Sequence, residues 1–161
     1  MTTYLEKPLI KTALTDIISF HKDQVDKQDI PIIFHLTDVA YICHKKYSYL
    51  DYEYYQETQK SPLDVTQLIC VALLHDILED THATESYLRD KYPKEIVDAV
   101  VILTRKLDES YFEYIERVKE NKLATYVKLC DLEHNIIKCY SKPEFQNLKE
   151  RYVKALSILN K

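Results

Sequence analysis

The 161-residue chain contains no glycine, and this absence restricts the folds open to it. Tight hairpin turns and left-handed connections usually call for glycine, because a Cβ atom clashes in those backbone conformations. Apolar residues make up 46% of the chain and recur at helical spacing along most of it. We therefore predict an all-α bundle of about seven to nine helices, formed as a single domain over residues 1–161.

The overall charge and the termini bear on the class of partner. A net charge of −4 argues against a nucleic-acid-binding surface, because such surfaces depend on an excess of basic residues. The sequence shows no signal peptide and no apolar run long enough to span a bilayer, so we expect a cytoplasmic protein without a membrane partner. The four cysteines lie in apolar helical patterns without Cys-x-x-Cys spacing, and we expect buried free thiols.

An apolar segment of the chain ends in a cluster of one imidazole and three carboxylates, which belong to His75, Asp76, Glu79 and Asp80. We predict one helix from about Leu63 to Glu79, on which His75 and Glu79 project from the same face. So many acidic groups in one place are costly unless a cation compensates their charge. A divalent metal is the simplest such cation, and a solvated helix end is the alternative.

A second polar pair lies on a helix that we predict from about Lys122 to Tyr140. Asp131 and Asn135 are four residues apart and therefore share one face of this helix. Apolar positions surround that face, which indicates that both side chains point inward. Because a buried unpaired carboxylate is strongly disfavoured, a metal ion is again an economical partner.

Three motifs together resemble those of the HD-domain phosphohydrolases, in particular the hydrolase domain of RelA/SpoT-type alarmone enzymes and their small stand-alone relatives. The motifs are Pro31-x-x-x-His35, Leu-Leu-His75-Asp76-x-x-Glu79-Asp80-Thr and Val-Lys128-Leu-x-Asp131-x-x-His134-Asn135. The resemblance covers residues from about 31 to 140. It implies an HD-domain helical bundle and a metal-dependent hydrolysis of phosphate esters.

The resemblance implies one divalent metal ion bound by His35, His75, Asp76 and Asp131. Two imidazoles and two carboxylates form a mixed nitrogen and oxygen shell, for which we expect Mn²⁺, with Fe²⁺ and Zn²⁺ as alternatives. Four protein ligands leave open positions for water and a phosphate oxygen, so the ion can activate the attacking water.

The resemblance also identifies a catalytic pair, Glu79 and Asp80, which would orient the water or accept its proton. Asn135 would hold the substrate or the site. Lys27 stands where the family has a basic segment near the guanine base. Three more basic residues suit phosphate oxygens but are equally compatible with solvated helix faces, namely Arg105, Lys122 and Lys128.

The expected reaction is removal of the 3′-pyrophosphate from (p)ppGpp. The alternative is an HD phosphohydrolase that acts on another nucleotide or phosphorylated metabolite, since no arginine precedes the first motif and Ile32 and Leu36 stand where the family has Tyr and Pro. A non-catalytic nucleotide-binding module is less favoured, because both Glu79 and Asp80 are present.

Two further segments lie outside the three motifs. The tyrosine-rich stretch Tyr47 to Tyr55 could stack on a nucleobase as a lid, but we favour packing on the surface or on another subunit. Pro143 opens a last helix that we predict to be purely structural. Its apolar positions are Phe145, Leu148, Tyr152, Ala155, Leu156 and Leu159.

Overall fold

The computed structural model describes residues 7–58, 63–140 and 143–161, excluding the side chains of residues 48–58. These ranges contain no β-strand, and an isolated bridge between Val25 and Pro31 is the one β-type pairing in them. The predicted all-α fold is therefore confirmed. The helices are α1 (Pro8–Phe20), α2 (Ile32–Thr58), α3 (Val65–Leu74), α4 (Ile77–Asp80), α5 (Glu85–Lys91), α6 (Lys94–Leu103), α7 (Tyr111–Val118), α8 (Lys122–Cys139), a 3₁₀ helix (Pro143–Phe145) and α9 (Gln146–Leu159).

Helix α3 forms the centre of the core. All of its residues from Leu68 to Leu74 are buried, and it packs against α1, α2, α6 and α8. A helix that is apolar on every face has to be surrounded by other elements. Asp64 caps the start of this helix, because its carboxylate accepts the backbone N–H groups of Thr66 (2.7 Å) and Gln67 (3.0 Å). The segment that follows α3 therefore begins in the interior of the molecule.

The predicted helix from Leu63 to Glu79 is wrong in one respect, because it breaks at His75 and Asp76. Nδ1–H of His75 donates to the backbone carbonyl of Ala72 at 2.7 Å. This side-chain bond takes an acceptor that the helix would otherwise use for its own backbone. Glu79 consequently lies on the separate short helix α4, where it is exposed, whereas His75 is buried.

Two aspartates provide the left-handed turns for which most chains use glycine. Asp23 (φ 65°) and Asp29 (φ 60°) lie in the connection between α1 and α2. Asp is one of the few non-glycine residues that enter this region readily. Between them, Oδ1 of Asp26 accepts the backbone N–H of Gln28 at 2.8 Å. The turns of this connection are thus formed by aspartates, through their backbone conformation and through a side-chain hydrogen bond.

The tyrosine-rich stretch prolongs α2, which runs to Thr58. Tyr47 is buried, and its hydroxyl donates to the carbonyl of Leu63. The other tyrosine side chains lie outside the described residues, so their roles as a lid or in surface packing stay predictions. All four cysteines are buried and free, as expected. None of the helices within the described ranges is long and apolar enough to cross a membrane.

A partly buried ion pair holds the connection between α6 and α7. The Arg117 guanidinium donates through Nε and Nη2 to the two carboxylate oxygens of Glu109, each at 2.7 Å, and through Nη1 to the carbonyl of Ile102 at 2.8 Å. These hydrogen bonds from Arg117, together with the backbone N–H of Lys106, lower the pKa of Glu109 to about 2. The backbone carbonyl of Glu109 in turn accepts Nε and Nη2 of Arg105, each at 3.0 Å.

We predict that Glu109→Gln destabilises the protein by about 1.5–3 kcal/mol at pH 7, the usual contribution of hydrogen bonds to a charged group. The pKa of Glu109 is lower in the folded than in the unfolded protein, so its stabilisation is complete above about pH 4.5. It should be lost as the pH falls toward about 2. Urea denaturation at several pH values would measure the free energy of unfolding.

Glu95→Gln is the matched control, because it removes the same charge from an exposed position on α6. Its effect on unfolding should be small at every pH. A difference between wild type and Glu109→Gln that stays constant from pH 7 to about pH 2 would contradict the assigned role of the ion pair.

Candidate metal centre and cavity

The four predicted metal ligands lie together, where α2, α8 and the turn after α3 meet. Nε2 of His35 lies 3.3 Å from Oδ1 of Asp131 and 3.7 Å from Oδ2 of Asp76. Nε2 of His75 lies 3.3 Å from the same Asp76 oxygen and 3.8 Å from the same Asp131 oxygen. The ligand atoms of His35, His75 and Asp131 are all within 4.8 Å of one another, so these three residues could hold a metal ion.

The hydrogen bonding of His75 fits a metal ligand. The Ala72 carbonyl can only accept, so Nδ1 of His75 carries the proton and Nε2 has a free lone pair. That Nε2 atom is buried and has no hydrogen-bond partner among the described residues. A buried polar atom without a partner calls for an explanation, and a metal ion close to Asp76 and Asp131 supplies one.

Asp131 is almost fully buried, with 3% of its surface exposed. Its Oδ2 accepts from Nζ of Lys128 at 2.8 Å, and its Oδ1 accepts from Nδ2 of Asn135 at 2.6 Å. Burial raises the pKa of Asp131, but the Lys128 ammonium and the imidazoles of His35 and His75 outweigh it and hold the pKa well below the usual value. Asp131 is therefore an ionised carboxylate whose orientation is held by two neighbours on its own helix.

His35 has a different partner from His75. Its Nδ1 lies 2.9 Å from Nδ1 of His134, and Nε2 of His134 lies 3.4 Å from Oδ2 of Asp38. Burial and the nearby His35 and Lys138 lower the pKa of His134, which favours a neutral imidazole. Our sequence reasoning gave His134 no role, although it lies within the third motif.

The predicted catalytic pair lies on α4, beside the ligands. Oε2 of Glu79 accepts the backbone N–H of Arg105 at 3.1 Å. The backbone carbonyl of Asp80 accepts Nε2 of Gln24 at 2.9 Å. Partial burial, together with the carboxylates of Asp76 and Glu79, raises the pKa of Asp80, although a bound cation would oppose this rise.

A cavity of about 430 Å³ brings most of the predicted residues together. Its walls include three predicted ligands, both carboxylates of the catalytic pair and four predicted substrate contacts: His35, Asp76, Asp131, Glu79, Asp80, Lys27, Arg105, Lys128 and Asn135. Lys122 is exposed at the start of α8 and is not among the lining residues. Its contact with substrate stays a prediction without geometric support.

The last helix also contributes to the cavity, which the sequence did not predict. Phe145 at the end of the 3₁₀ helix, and Leu148 and Tyr152 on α9, line it. The prediction of a purely structural role for these three residues stays a prediction. Ala155 and Leu159 are buried, as expected. The helical period shows which residues share a face, but it does not show that part of this face borders the cavity rather than the core.

Two cations in the cavity also escaped prediction, Lys138 and Arg151. Nζ of Lys138 lies 3.0 Å from Oδ2 of Asp26. The Arg151 guanidinium lies over the ring of Tyr111, 4.6 Å from its centroid. The available signals were weak, because Lys138 is one turn beyond the third motif and Arg151 is one of several basic residues on α9.

No family model matches the chain. A stretch of 42 residues is 50% identical to a protein of Mycoplasma pneumoniae named "Probable guanosine-3′,5′-bis(diphosphate) 3′-pyrophosphohydrolase". This match covers 26% of the chain and 6% of that relative, so the chain spans a small part of the relative's length.

The structure is similar over almost its whole length to one described as "A metazoan ortholog of SpoT hydrolyzes ppGpp and plays a role in starvation responses". The TM-score is 0.74 at 18% sequence identity, and the match covers 95% of this chain and 86% of the other. A likeness at this identity establishes the fold. The chain therefore has the all-α fold of an HD-domain helical bundle, as the resemblance of its three motifs implied.

Proposed function

We propose that this protein is a metal-dependent phosphohydrolase that removes the 3′-pyrophosphate from (p)ppGpp. The observation that carries the proposal is the convergence of two imidazole nitrogens and two carboxylate oxygens beside a cavity that also contains cations and aromatic rings. The Mycoplasma pneumoniae relative and the structural neighbour described above both have names or descriptions that refer to ppGpp hydrolysis. The reaction would consume one water molecule and yield pyrophosphate together with GDP from ppGpp or GTP from pppGpp.

The ion would be held by His35, His75, Asp76 and Asp131. We propose Mn²⁺, because mixed nitrogen and oxygen donors without a thiolate suit it, with Fe²⁺ and Zn²⁺ as alternatives. When bound, the ion would polarise a phosphate oxygen and increase the acidity of water. Its charge would also offset the close approach of the two carboxylates.

Glu79 and Asp80 would handle the proton of the attacking water. Because one carboxylate oxygen of Glu79 is already bonded to the Arg105 backbone, its other oxygen is available to orient water in the cavity. Asp80 is held through its backbone by Gln24, which leaves its side chain available to accept a proton.

The cations in the cavity would bind the phosphate groups. Lys27, Arg105 and Arg151 line it with their positive charges, and guanidinium groups match phosphate oxygens in geometry. Lys128 and Asn135 both bond to Asp131, so we assign them first to supporting that ligand and only then to the substrate. The rings of Tyr111 and Tyr152 offer surfaces on which a base could stack.

A second candidate is hydrolysis of a different nucleotide by the same centre. It is favoured by two differences from the family near the first motif. No arginine precedes this motif, so Lys27 is the basic residue that lines the cavity there, and Ile32 takes the place of the family's Tyr. The contacts that distinguish guanine from another base are therefore altered, whereas the metal ligands and the catalytic pair are intact.

The direct test is to incubate the purified protein with Mn²⁺ and a panel of ppGpp, deoxynucleoside triphosphates and nucleoside monophosphates. We expect ppGpp to be converted to GDP and pyrophosphate, measured by anion-exchange chromatography. Turnover of another nucleotide without turnover of ppGpp would select the second candidate, and no turnover of any substrate would contradict both.

We predict that Glu79→Gln and Asp80→Asn reduce turnover on the order of 10²–10⁴-fold, the usual contribution of acid–base assistance. Both variants should retain the fold and the metal, because neither carboxylate belongs to the proposed ligand set. Asp131→Ala should lose metal together with activity. Metal analysis and turnover on the same preparations would distinguish these outcomes.

If both Glu79→Gln and Asp80→Asn kept nearly full turnover, the two carboxylates would only solvate the end of a helix. If either variant lost metal along with activity, that carboxylate would be a ligand instead.

A further inference from the structure

The two histidines of the centre differ in what holds their second ring nitrogen. Nδ1 of His75 faces a backbone carbonyl, which can only accept a hydrogen bond. Nδ1 of His35 faces Nδ1 of His134 at 2.9 Å, and an imidazole nitrogen can either donate or accept. The tautomer of His35 therefore depends on the tautomer of His134.

The surroundings of His134 favour one of its two tautomers. Its Nε2 lies 3.4 Å from Oδ2 of Asp38, a carboxylate that can only accept when ionised. A proton on Nε2 of His134 leaves a lone pair on its Nδ1. That lone pair accepts a hydrogen bond from Nδ1–H of His35, and with its proton on Nδ1, His35 has a free lone pair on Nε2 beside Asp131.

The opposite tautomer of His134 would leave His35 without a free Nε2 lone pair for a cation. If Nδ1 of His134 carried the proton, Nδ1 of His35 would have to accept the hydrogen bond, and Nε2–H of His35 would point toward Oδ1 of Asp131, 3.3 Å away. The imidazole nitrogen and the carboxylate oxygen would then satisfy each other. A metal ion would have to displace that hydrogen bond and the proton.

We propose that His134 is a positioning residue that, oriented by Asp38, holds His35 in the tautomer whose Nε2 binds a divalent cation. The proposal rests on the metal centre of the proposed function, but not on the identity of the substrate. Outer partners of metal-bound histidines generally fix both ring orientation and tautomer, and removing one typically weakens metal binding by about 10- to 100-fold. His134 is 9% exposed and does not line the cavity, so it has no direct route to the substrate.

The test compares Mn²⁺ binding by isothermal titration calorimetry in wild type, His134→Phe and His134→Gln. Phe keeps a ring in the site but accepts no hydrogen bond, so binding should weaken by about 10- to 100-fold. Gln can present its amide oxygen to Nδ1–H of His35 and should bind close to the wild-type value. The matched control is His82→Phe at an exposed histidine, which should leave binding unchanged.

A spectroscopic measurement on the wild type does not depend on any variant folding. In ¹⁵N-histidine NMR of the Zn²⁺-loaded protein, we expect the proton of His35 on Nδ1 and that of His134 on Nε2. A proton on Nδ1 of His134 would overturn the proposal.

The outcomes separate this inference from the proposed function. If His134→Phe binds Mn²⁺ as tightly as wild type while Asp131→Ala does not, the metal centre stands and the role of His134 is wrong. If the binding series is as expected but ppGpp is not hydrolysed, the role of His134 stands and the proposed substrate is wrong. A wild-type protein that binds no Mn²⁺ would overturn both the centre and the inference.

Discussion

The burial of one carboxylate, Asp131, sets the requirements for the rest of the site. A charge with 3% exposure carries a desolvation cost of several kcal/mol unless pairs and hydrogen bonds offset it. Lys128 and Asn135 supply part of that compensation from one turn of the same helix, on either side of Asp131. The remainder would come from a cation held between Asp131 and the imidazoles of His35 and His75. These two histidines lie on other parts of the chain, so α2, α3 and α8 must pack in one arrangement for the carboxylate to stay ionised in the interior.

The break after α3 turns this buried cluster toward the cavity. Exposure rises along the chain, from His75 in the core through the half-buried Asp76 to Glu79 and Asp80 at the surface of the cavity. A continuous helix would have kept these residues on one axis. The short turn instead separates the buried predicted ligands from the solvent-exposed positions, where a carboxylate can reach water.

Local patterns in the sequence predicted much of the secondary structure. Capping and proline signals in the sequence agree with α5 and α6, since Thr84 caps α5 and Pro93 precedes α6. The prediction for α8 agrees with its observed end to within one residue. The break at His75 was missed because it depends on a side chain bonding to its own helix, and helical periodicity carries no record of such a bond. The lack of glycine indicated helices, yet Asp23 and Asp29 show that left-handed turns can be made without it.

The residue types and spacings by themselves determined an all-α chain and two groups of polar side chains that call for a cation, because helical geometry ties positions four apart to one face and charge clusters demand compensation. The resemblance of the three motifs to a known family then implied the set of four proposed ligands. Only the tertiary structure decided which partners these side chains meet across the bundle. The pairing of His35 with His134, the contact of Gln24 with Asp80 and the entry of Arg151 into the cavity all join residues distant in sequence. Such contacts depend on how the helices cross, and crossing geometry arises from side-chain packing between elements rather than from the pattern within any one of them.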